Sequence, residues 1–254
     1  MSVSTPPHPV LRQYYPSDEA RQSFVTELFH AFAADYDRVG TVLSFGSEHR
    51  YRRQALEQAG LRPGMKLLDV ATGTGLMARA GAAILGDPRR VIGLDPNGSM
   101  LREAKKTGTA ALVQGRAEDL PFPDASFDVL SMGYALRHVT SLEVAFREYL
   151  RVLRPGGRVL LLEITSPRSR LVRGLIRGYL RHVVPLIVGL SKRSKPPRLL
   201  MSYYWDTIEA CVPPETILRA LQETGFTDVT RRTLGGLLSE YAGTKPAAEA
   251  ISIG

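Results

Sequence analysis

The chain has 254 residues, 44% of them hydrophobic, enough for one substantial domain with a large core, and no apolar run reaches the roughly 18 residues that would span a bilayer. Its single cysteine, Cys211, excludes an internal disulfide framework, argues against zinc and suits a reducing cytoplasm; it is read as buried and inert. The formal charge of +8 is one local patch: nine Lys or Arg and no acid lie between Ile164 and Trp205, and without those nine the remainder carries about −1.

In chain order, Met1 to Pro9 is polar and proline-rich with no signal-peptide core, and residues 1–18 are read as mobile. Phe24, Leu28, Phe29 and Phe32 recur at helical spacing in a helix from about Asp18 to Tyr36, and a second helix covers about Glu48 to Ala59. Leu61-Arg62-Pro63-Gly64 turns the chain into a first strand at 66–70. Helix 76–85, strand 90–94, helix 98–106 and strand 110–114 follow, then strand 127–132, helix 142–153 and strand 157–163. Pro155-Gly156-Gly157 stops the helix and restarts the chain as that last strand. The basic stretch 165–205 interrupts the alternation, and a helix near 214–224 with strands near 227–233 and 236–242 closes it. Such alternation implies a parallel sheet with helices on both faces.

The chemistry concentrates in Leu67-Leu68-Asp69-Val70-Ala71-Thr72-Gly73-Thr74-Gly75 and, about twenty residues on, Val91-Ile92-Gly93-Leu94-Asp95. An apolar strand enters a glycine-rich turn, a helix follows, and a second strand ends on a carboxylate able to accept from two ribose hydroxyls. Gly73-Thr74-Gly75-Leu76-Met77-Ala78 also satisfies the loose pattern of dinucleotide binders. Asp69 tips the balance, because a carboxylate at the loop mouth repels a pyrophosphate but favours a cationic ligand such as the sulfonium and ammonium of S-adenosylmethionine. Some sixty residues precede the first strand, whereas a dinucleotide fold usually opens its domain.

Further stretches carry a family resemblance from about Phe29 to Lys245. Phe29-His30-Ala31-Phe32-Ala33-Ala34-Asp35-Tyr36-Asp37 and Leu43-Ser44-Phe45-Gly46-Ser47-Glu48-His49-Arg50 resemble the opening signature of the ubiquinone/menaquinone biosynthesis C-methyltransferases. Ala135-Leu136-Arg137-His138-Val139 is similar to their Gly-Leu-Arg-Asn-Val segment. The stretches Glu118–Asp128 and Arg151–Arg158 resemble class I methyltransferases more broadly. The resemblance implies an α/β, Rossmann-like class I methyltransferase: a seven-stranded, mostly parallel sheet with an antiparallel last strand, S-adenosylmethionine as donor, and methylation at carbon. It places donor contacts on Thr74, Asp95, Arg116-Ala117 and Gly133; Arg116 departs from the usual Asn or Asp and can only donate hydrogen bonds. With the loop, its flanks and the N-terminal helices that would fold over the donor, the candidate donor-binding residues are Tyr36, Asp69, Ala71, Thr72, Gly73, Thr74, Gly75, Asp95, Pro96, Met100, Arg116, Ala117, Glu118 and Gly133.

On the acceptor side the candidates are Arg137, His138, His49, Tyr203 and Asp206, which could favour a phenolate or take a ring proton. Arg137 could instead pair with a carboxylate such as Glu163 while His138 caps a helix. Tyr203-Tyr204-Trp205-Asp206-Thr207-Ile208 falls on the family's Tyr-x-x-(Glu/Asp)-(Ser/Thr)-Ile segment. Arg170, Arg173, Arg177 and Arg181 recur at helical spacing, with Leu171, Val172, Leu175, Ile176, Tyr179, Leu180, Val183 and Val184 as the apolar side of a cationic amphipathic helix. It could rest on anionic lipid, bind a diphosphate, or be a solvated face over a core.

The sequence therefore divides into an N-terminal helical lid (1–60), a donor-binding core (61–164), a basic helical insertion covering the acceptor pocket (165–212) and a completion of the sheet (213–254). It describes a cytoplasmic methyltransferase, peripheral at an anionic membrane on one reading and a homodimer on another, acting at carbon on a hydrophobic, prenylated acceptor such as a demethylquinol. An isoprenyl diphosphate or other terpenoid acceptor is the alternative. Nucleic acid is disfavoured as a partner, since the basic residues interleave with aliphatics rather than stacking aromatics.

Overall fold

In the computed structural model of the chain, which describes residues 5–44, 46–108, 110–189 and 198–247, the seven strands are β1 (Leu67–Val70), β2 (Val91–Asp95), β3 (Ala111–Gln114), β4 (Phe127–Gly133), β5 (Leu153–Ile164), β6 (Thr227–Leu234) and β7 (Leu238–Thr244). They form one sheet in the order β3-β2-β1-β4-β5-β7-β6. β7 runs antiparallel to both its neighbours, and the pairs from β3 to β5 are parallel. From β1 the chain steps outward to β2 and β3, then returns to β4 on the other side of β1. That reversal leaves a crevice beyond the carboxyl ends of β1 and β4, where ligands of open α/β sheets bind.

Successive strand residues face opposite layers. Leu68, Leu130 and Leu161 join Phe146 and Tyr149 of α6 (Leu142–Val152) and Leu221 of α10 (Pro214–Glu223) in one core. Leu67, Val129, Leu160 and Leu162 meet Leu56 of α3 (Glu48–Gln58) and Met77 and Leu85 of α4 (Leu76–Leu85) in the other. Gly81 of α4 lets that helix close on the sheet: a Cβ there would stand 2.2 Å from Leu67 Cδ2. A third cluster lies outside the sheet. It joins α1 (Asp18–Phe32) and α2 (Tyr36–Ser44) to α8 (Val184–Gly189) and α9 (Arg198–Ala210) through Leu28, Val39, Val184, Met201 and Trp205.

The structure departs from the sequence reading at four places. Residues 5–17 are not a mobile tail: Pro7 O accepts from Val212 N at 2.8 Å, Thr5 O from Leu142 N at 3.1 Å, and His8, Leu11 and Tyr15 are buried; residues 1–4 lie outside the described residues. The first helix stops at Phe32, whose φ of −114° breaks the helix, and a 3₁₀ turn over Ala33–Asp35 redirects the chain into α2. β5 begins at Leu153, which pairs with Phe127, and Pro155-Gly156-Gly157 is absorbed in a register shift before Arg158 meets Val129. The fourth is the basic segment. It forms α7 (Arg170–Gly178), a π turn over Tyr179–Val183 and then α8. Its apolar residues split: Leu180 and Val184 are buried, while Leu171 and Leu175 are 74% and 66% exposed. Lys192, Arg193 and Lys195 lie outside the described residues.

Candidate functional site

β1 ends in a tight curl in which Ala71, Gly73 and Gly75 have φ of 54°, 58° and 86°. Glycine adopts this left-handed conformation at little cost, whereas for Ala71 it is local strain held by its surroundings. The curl packs on Gly93 of β2, where a Cβ would stand 2.9 Å from Thr72. It directs the Gly73 N–H to Asp95 at 2.9 Å, and Asn97 N–H donates to the same carboxylate at 2.8 Å. A carboxylate offers about four lone-pair sites, so Asp95 keeps acceptor capacity for two hydroxyls. Burial pushes its pKa up to about 6 against those two N–H donors.

Asp69 lies deeper, 1% exposed, and accepts from Thr72 Oγ1 at 2.6 Å and from its cross-strand partner Ser131 at 2.8 Å. Its burial likewise raises the pKa to about 6. A bound cation near it would favour the ionised form.

These groups open into a cavity of about 260 Å³ over the sheet reversal. Tyr36, Asp69, Ala71, Thr72, Gly73, Thr74, Asp95, Pro96, Met100, Arg116, Ala117, Glu118 and Gly133 all line it. Gly75 does not; it serves the turn into α4. Arg116 is turned to the rim, bonded to Gln22 and 3.7 Å from Glu118, and Glu118 accepts from Thr140 N at 2.6 Å. α1 forms the roof. Thr26 O accepts from Asn97 Nδ2 at 2.9 Å, and His30 Nδ1 lies 2.5 Å from Ser99 Oγ of α5 (Gly98–Lys105). Asp37 reaches the loop itself, accepting from Thr74 Oγ1 and, at 3.2 Å, from Arg79. Asp37 is the last residue of the family-like stretch Phe29–Asp37, and that place is the signal the sequence carries for it.

His138 lines the same cavity. It stacks on Tyr203 with ring centroids 5.7 Å apart and meets Phe29 edge-on at 5.4 Å. Its Nδ1 is 3.4 Å from Tyr203 Oη, and its buried Nε2 has no hydrogen-bond partner among the described residues. Burial, with Arg137 adding to it, holds the pKa well below 6.5, so the imidazole is neutral.

The other acceptor-side candidates are not brought into a cavity. Arg137 is fully buried, bonded to Glu163 and centred 5.0 Å over the Tyr204 ring. Asp206 accepts from Tyr14 at 2.6 Å and from Arg181 at 2.6 Å, tying the N-terminal strap to the basic segment across α9. His49 is exposed on α3. Tyr203 packs edge-on to Tyr14 and Phe24 behind His138. Cys211 is half-buried, and burial pushes its thiol up to about 12, which keeps it protonated.

A second cavity of about 440 Å³ lies between α2, α3, α9 and the basic segment. Its wall is aliphatic and aromatic, including Val39, Leu43, Ile176, Leu180, Leu200 and Met201. Four residues, Tyr36, Arg52, Leu76 and Tyr134, line both cavities. Tyr134 holds φ of 60° just past β4. Arg52, 7% exposed, sits 5.4 Å from the Tyr134 ring centre and donates to Glu48 at 2.8 Å. Neither Glu48 nor Arg52 was picked out from the sequence, where they read as an ordinary i,i+4 pair on a strongly polar helix.

The arrangement matches known proteins. The model of the ubiE/COQ5 methyltransferase family matches residues 16–245. The ubiquinone/menaquinone biosynthesis C-methyltransferase UbiE of Ectopseudomonas mendocina is 36% identical over 230 residues, which is 87% of this chain and 89% of that one. The enzyme of the same name from Shewanella halifaxensis is 33% identical over 235 residues, 89% and 92% of the two chains. Among solved structures, the sheet and its helices superpose on an S-adenosylmethionine-dependent methyltransferase from Aquifex aeolicus with a TM-score of 0.55 at 17% identity, covering 76% of this chain and 88% of that one.

Proposed function

The chain belongs to the ubiE/COQ5 methyltransferase family and is an S-adenosylmethionine-dependent methyltransferase, and from that premise we propose that it methylates a ring carbon of a hydrophobic, prenylated acceptor such as a demethylquinol. One observation carries the reading: the cavity over the sheet reversal shares the wall Tyr36, Arg52, Leu76 and Tyr134 with a larger apolar cavity suited to an aromatic ring and part of its chain.

The residues of the first cavity fit the donor. Asp95 would accept the ribose hydroxyls, the curl 71–74 would bring backbone close to the ligand, Ala117 and the backbone at Arg116 would flank the adenine, and buried Asp69 would favour the cationic end. When bound, S-adenosylmethionine supplies a methyl group whose bond to sulfur breaks with both electrons left on sulfur. The protein's share is positioning: α1 and α2 would cover the donor as a lid, and the shared wall would align the two ligands for an in-line transfer. His138, held neutral, presents a hydrogen-bonding edge to the donor cavity rather than a charge.

The basic segment covers the apolar cavity with Ile176 and Leu180 and presents Leu171, Leu175, Leu186, Arg170 and Arg177 outward. Exposed leucines among arginines suit the headgroup region of an anionic membrane, from which a polyprenyl acceptor would be taken. Among the described residues no helix is long and apolar enough to cross a membrane. Arg170, Arg173, Arg177 and Arg181 line neither cavity, so they do not converge on a diphosphate there.

The test is incubation with methyl-labelled S-adenosylmethionine and a panel of demethylquinols and prenyl diphosphates, followed by mass analysis. One labelled methyl on a quinol ring carbon is the expected product. Label on a prenyl diphosphate, with none on any quinol, overturns the reading.

A further inference from the structure

The apolar cavity holds one polar feature for which a purely hydrophobic ligand gives no reason. Among the described residues lining it, Glu48 is the only carboxylate and Arg52 the only cation. The pair is buried, with side chains each 8% exposed. Burying an ion pair in apolar surroundings is costly unless the remaining donors and acceptors are used. Here they are not. Of the five N–H donors of a guanidinium, the described hydrogen bond goes to Glu48 alone, and the buried Nε has no partner among the described residues. Arg52 also lies on the wall common to both cavities, the place where a ring must stand to meet the methyl group.

We propose that Arg52 and Glu48 form the acceptor end of the reaction centre: Arg52 binds a phenolic oxygen of the acceptor ring, and Glu48 takes the proton that the methylated ring carbon must lose. This rests on the methyl-transfer reading above and deepens it. An N–H donor on the ring oxygen favours the phenolate and so the electron density at the neighbouring carbon. After the new carbon–carbon bond forms, that carbon carries one hydrogen too many. Its C–H bond breaks, the electron pair restores the aromatic ring, and the proton goes to the Glu48 carboxylate and then to solvent. A ring carbon in that state is a strong acid, so a carboxylate is basic enough to receive its proton.

Among the described residues, no other group facing the apolar cavity suits the task. Tyr36, Tyr51, Tyr134, Tyr179 and Tyr204 are held neutral by burial, which raises every one of them. Arg137 is locked to Glu163, and Asp206 to Tyr14 and Arg181. His138 lines only the donor cavity. Glu48 also lies against Gly40 of α2, where a Cβ would stand 3.1 Å from Glu48 Oε2, so the lid backbone crowds the carboxylate and holds it in place.

Two measurements test the proposal. In the first, 2-decyl-4-nitrophenol is titrated into protein saturated with S-adenosylhomocysteine, and its absorbance reports how readily the bound phenol ionises. The wild type should shift ionisation at least about tenfold towards the phenolate; R52M should abolish the shift and R52K retain part of it. In the second, an accepted demethylquinol is deuterated at the ring carbon. E48Q should slow turnover by about 10²-fold or more and reveal a primary isotope effect absent in wild type, with E48D restoring part of the rate. S-adenosylhomocysteine affinity should stay at the wild-type level in E48Q and E48D, because Glu48 lines only the apolar cavity, and the Arg52 variants are compared at S-adenosylhomocysteine concentrations that saturate each of them. Should R52M ionise the probe as wild type does, or E48Q turn over at the wild-type rate without an isotope effect, the pair is only a structural tie and the proposal fails. The methyl-transfer reading fails separately, if wild type methylates no quinol at all.

Discussion

Arg137 and Glu163 form an ion pair across the ends of β4 and β5, with side chains 0% and 3% exposed. Glu163 also accepts from Leu136 N at 2.8 Å, and the guanidinium lies over Tyr204, so the pair pins the turn after β4, the sheet edge and α9 together. Arg137 thereby holds the turn against the sheet. Removing it should leave a buried carboxylate uncompensated and cost about 3–5 kcal/mol. Urea unfolding of R137A should show this, while the double replacement R137M/E163L should recover most of the loss. Equal stability of R137A and wild type would mean that Glu163 reaches water.

Asp69 makes donor affinity pH-dependent. Its folded pKa of about 6 stands above the ordinary 3.8 because of burial. Between those values the folded chain holds a proton that the unfolded chain has lost. The stability linked to this proton is complete below about 3.8, falls as pH rises to about 6 and stays lost above. A cationic ligand works in the opposite sense: it favours the ionised form and expels the proton. Calorimetry of S-adenosylmethionine binding should therefore show affinity falling as pH drops from 7.5 to 5, with proton release on binding near pH 5.5. D69N should remove part of the pH dependence and leave the part due to Asp95, which titrates in the same range; a wild-type profile in D69N would remove Asp69 from that role.

Asp95 should dominate donor recognition. Two hydrogen bonds to a charged acceptor, each contributing about 1.5–3 kcal/mol, put the loss in D95A at 10²-fold or more in affinity for S-adenosylhomocysteine. Unchanged affinity would sink the ribose assignment.

The basic segment should attach the protein to anionic vesicles. Arg170 and Arg177 are exposed and line neither cavity, so R170E/R177E should lose flotation with phosphatidylglycerol vesicles while keeping donor affinity. Binding should weaken with salt for wild type, because headgroup attraction is screened within about 10 Å at 0.1 M ionic strength. Flotation of the variant at wild-type levels would overturn the membrane reading.

The core elements were legible because each is written locally. Apolar runs at 67–70, 91–95 and 127–133 are strands buried on both faces, and their ends moved by a residue or so. The loop from Asp69 to Gly75 was legible because close backbone approach requires glycine and a carboxylate at a strand end has few other uses in that pattern. What escaped was non-local. His8, Leu11 and Tyr15 look like tail residues until Val212 and Leu142 bind the backbone around them. Leu171 and Leu180 share one amphipathic pattern, yet one is exposed and the other buried, because a π turn at 179–183 rotates the second half of the segment onto α2 and α9.

The linear order of residues was enough for the alternating fold and for the glycine-rich curl with Asp69 and Asp95 beside it, since those depend on neighbours within a few tens of positions. The tertiary structure decided which groups face the apolar cavity. Arg137, adjacent in sequence to the donor-facing His138, is withdrawn into an ion pair with Glu163, whereas Glu48 and Arg52 on a polar helix are carried into an apolar cavity. Burial is a property of the folded surface, not of the residue, and it converts an ordinary surface pair into the only charges facing the apolar cavity among the described residues.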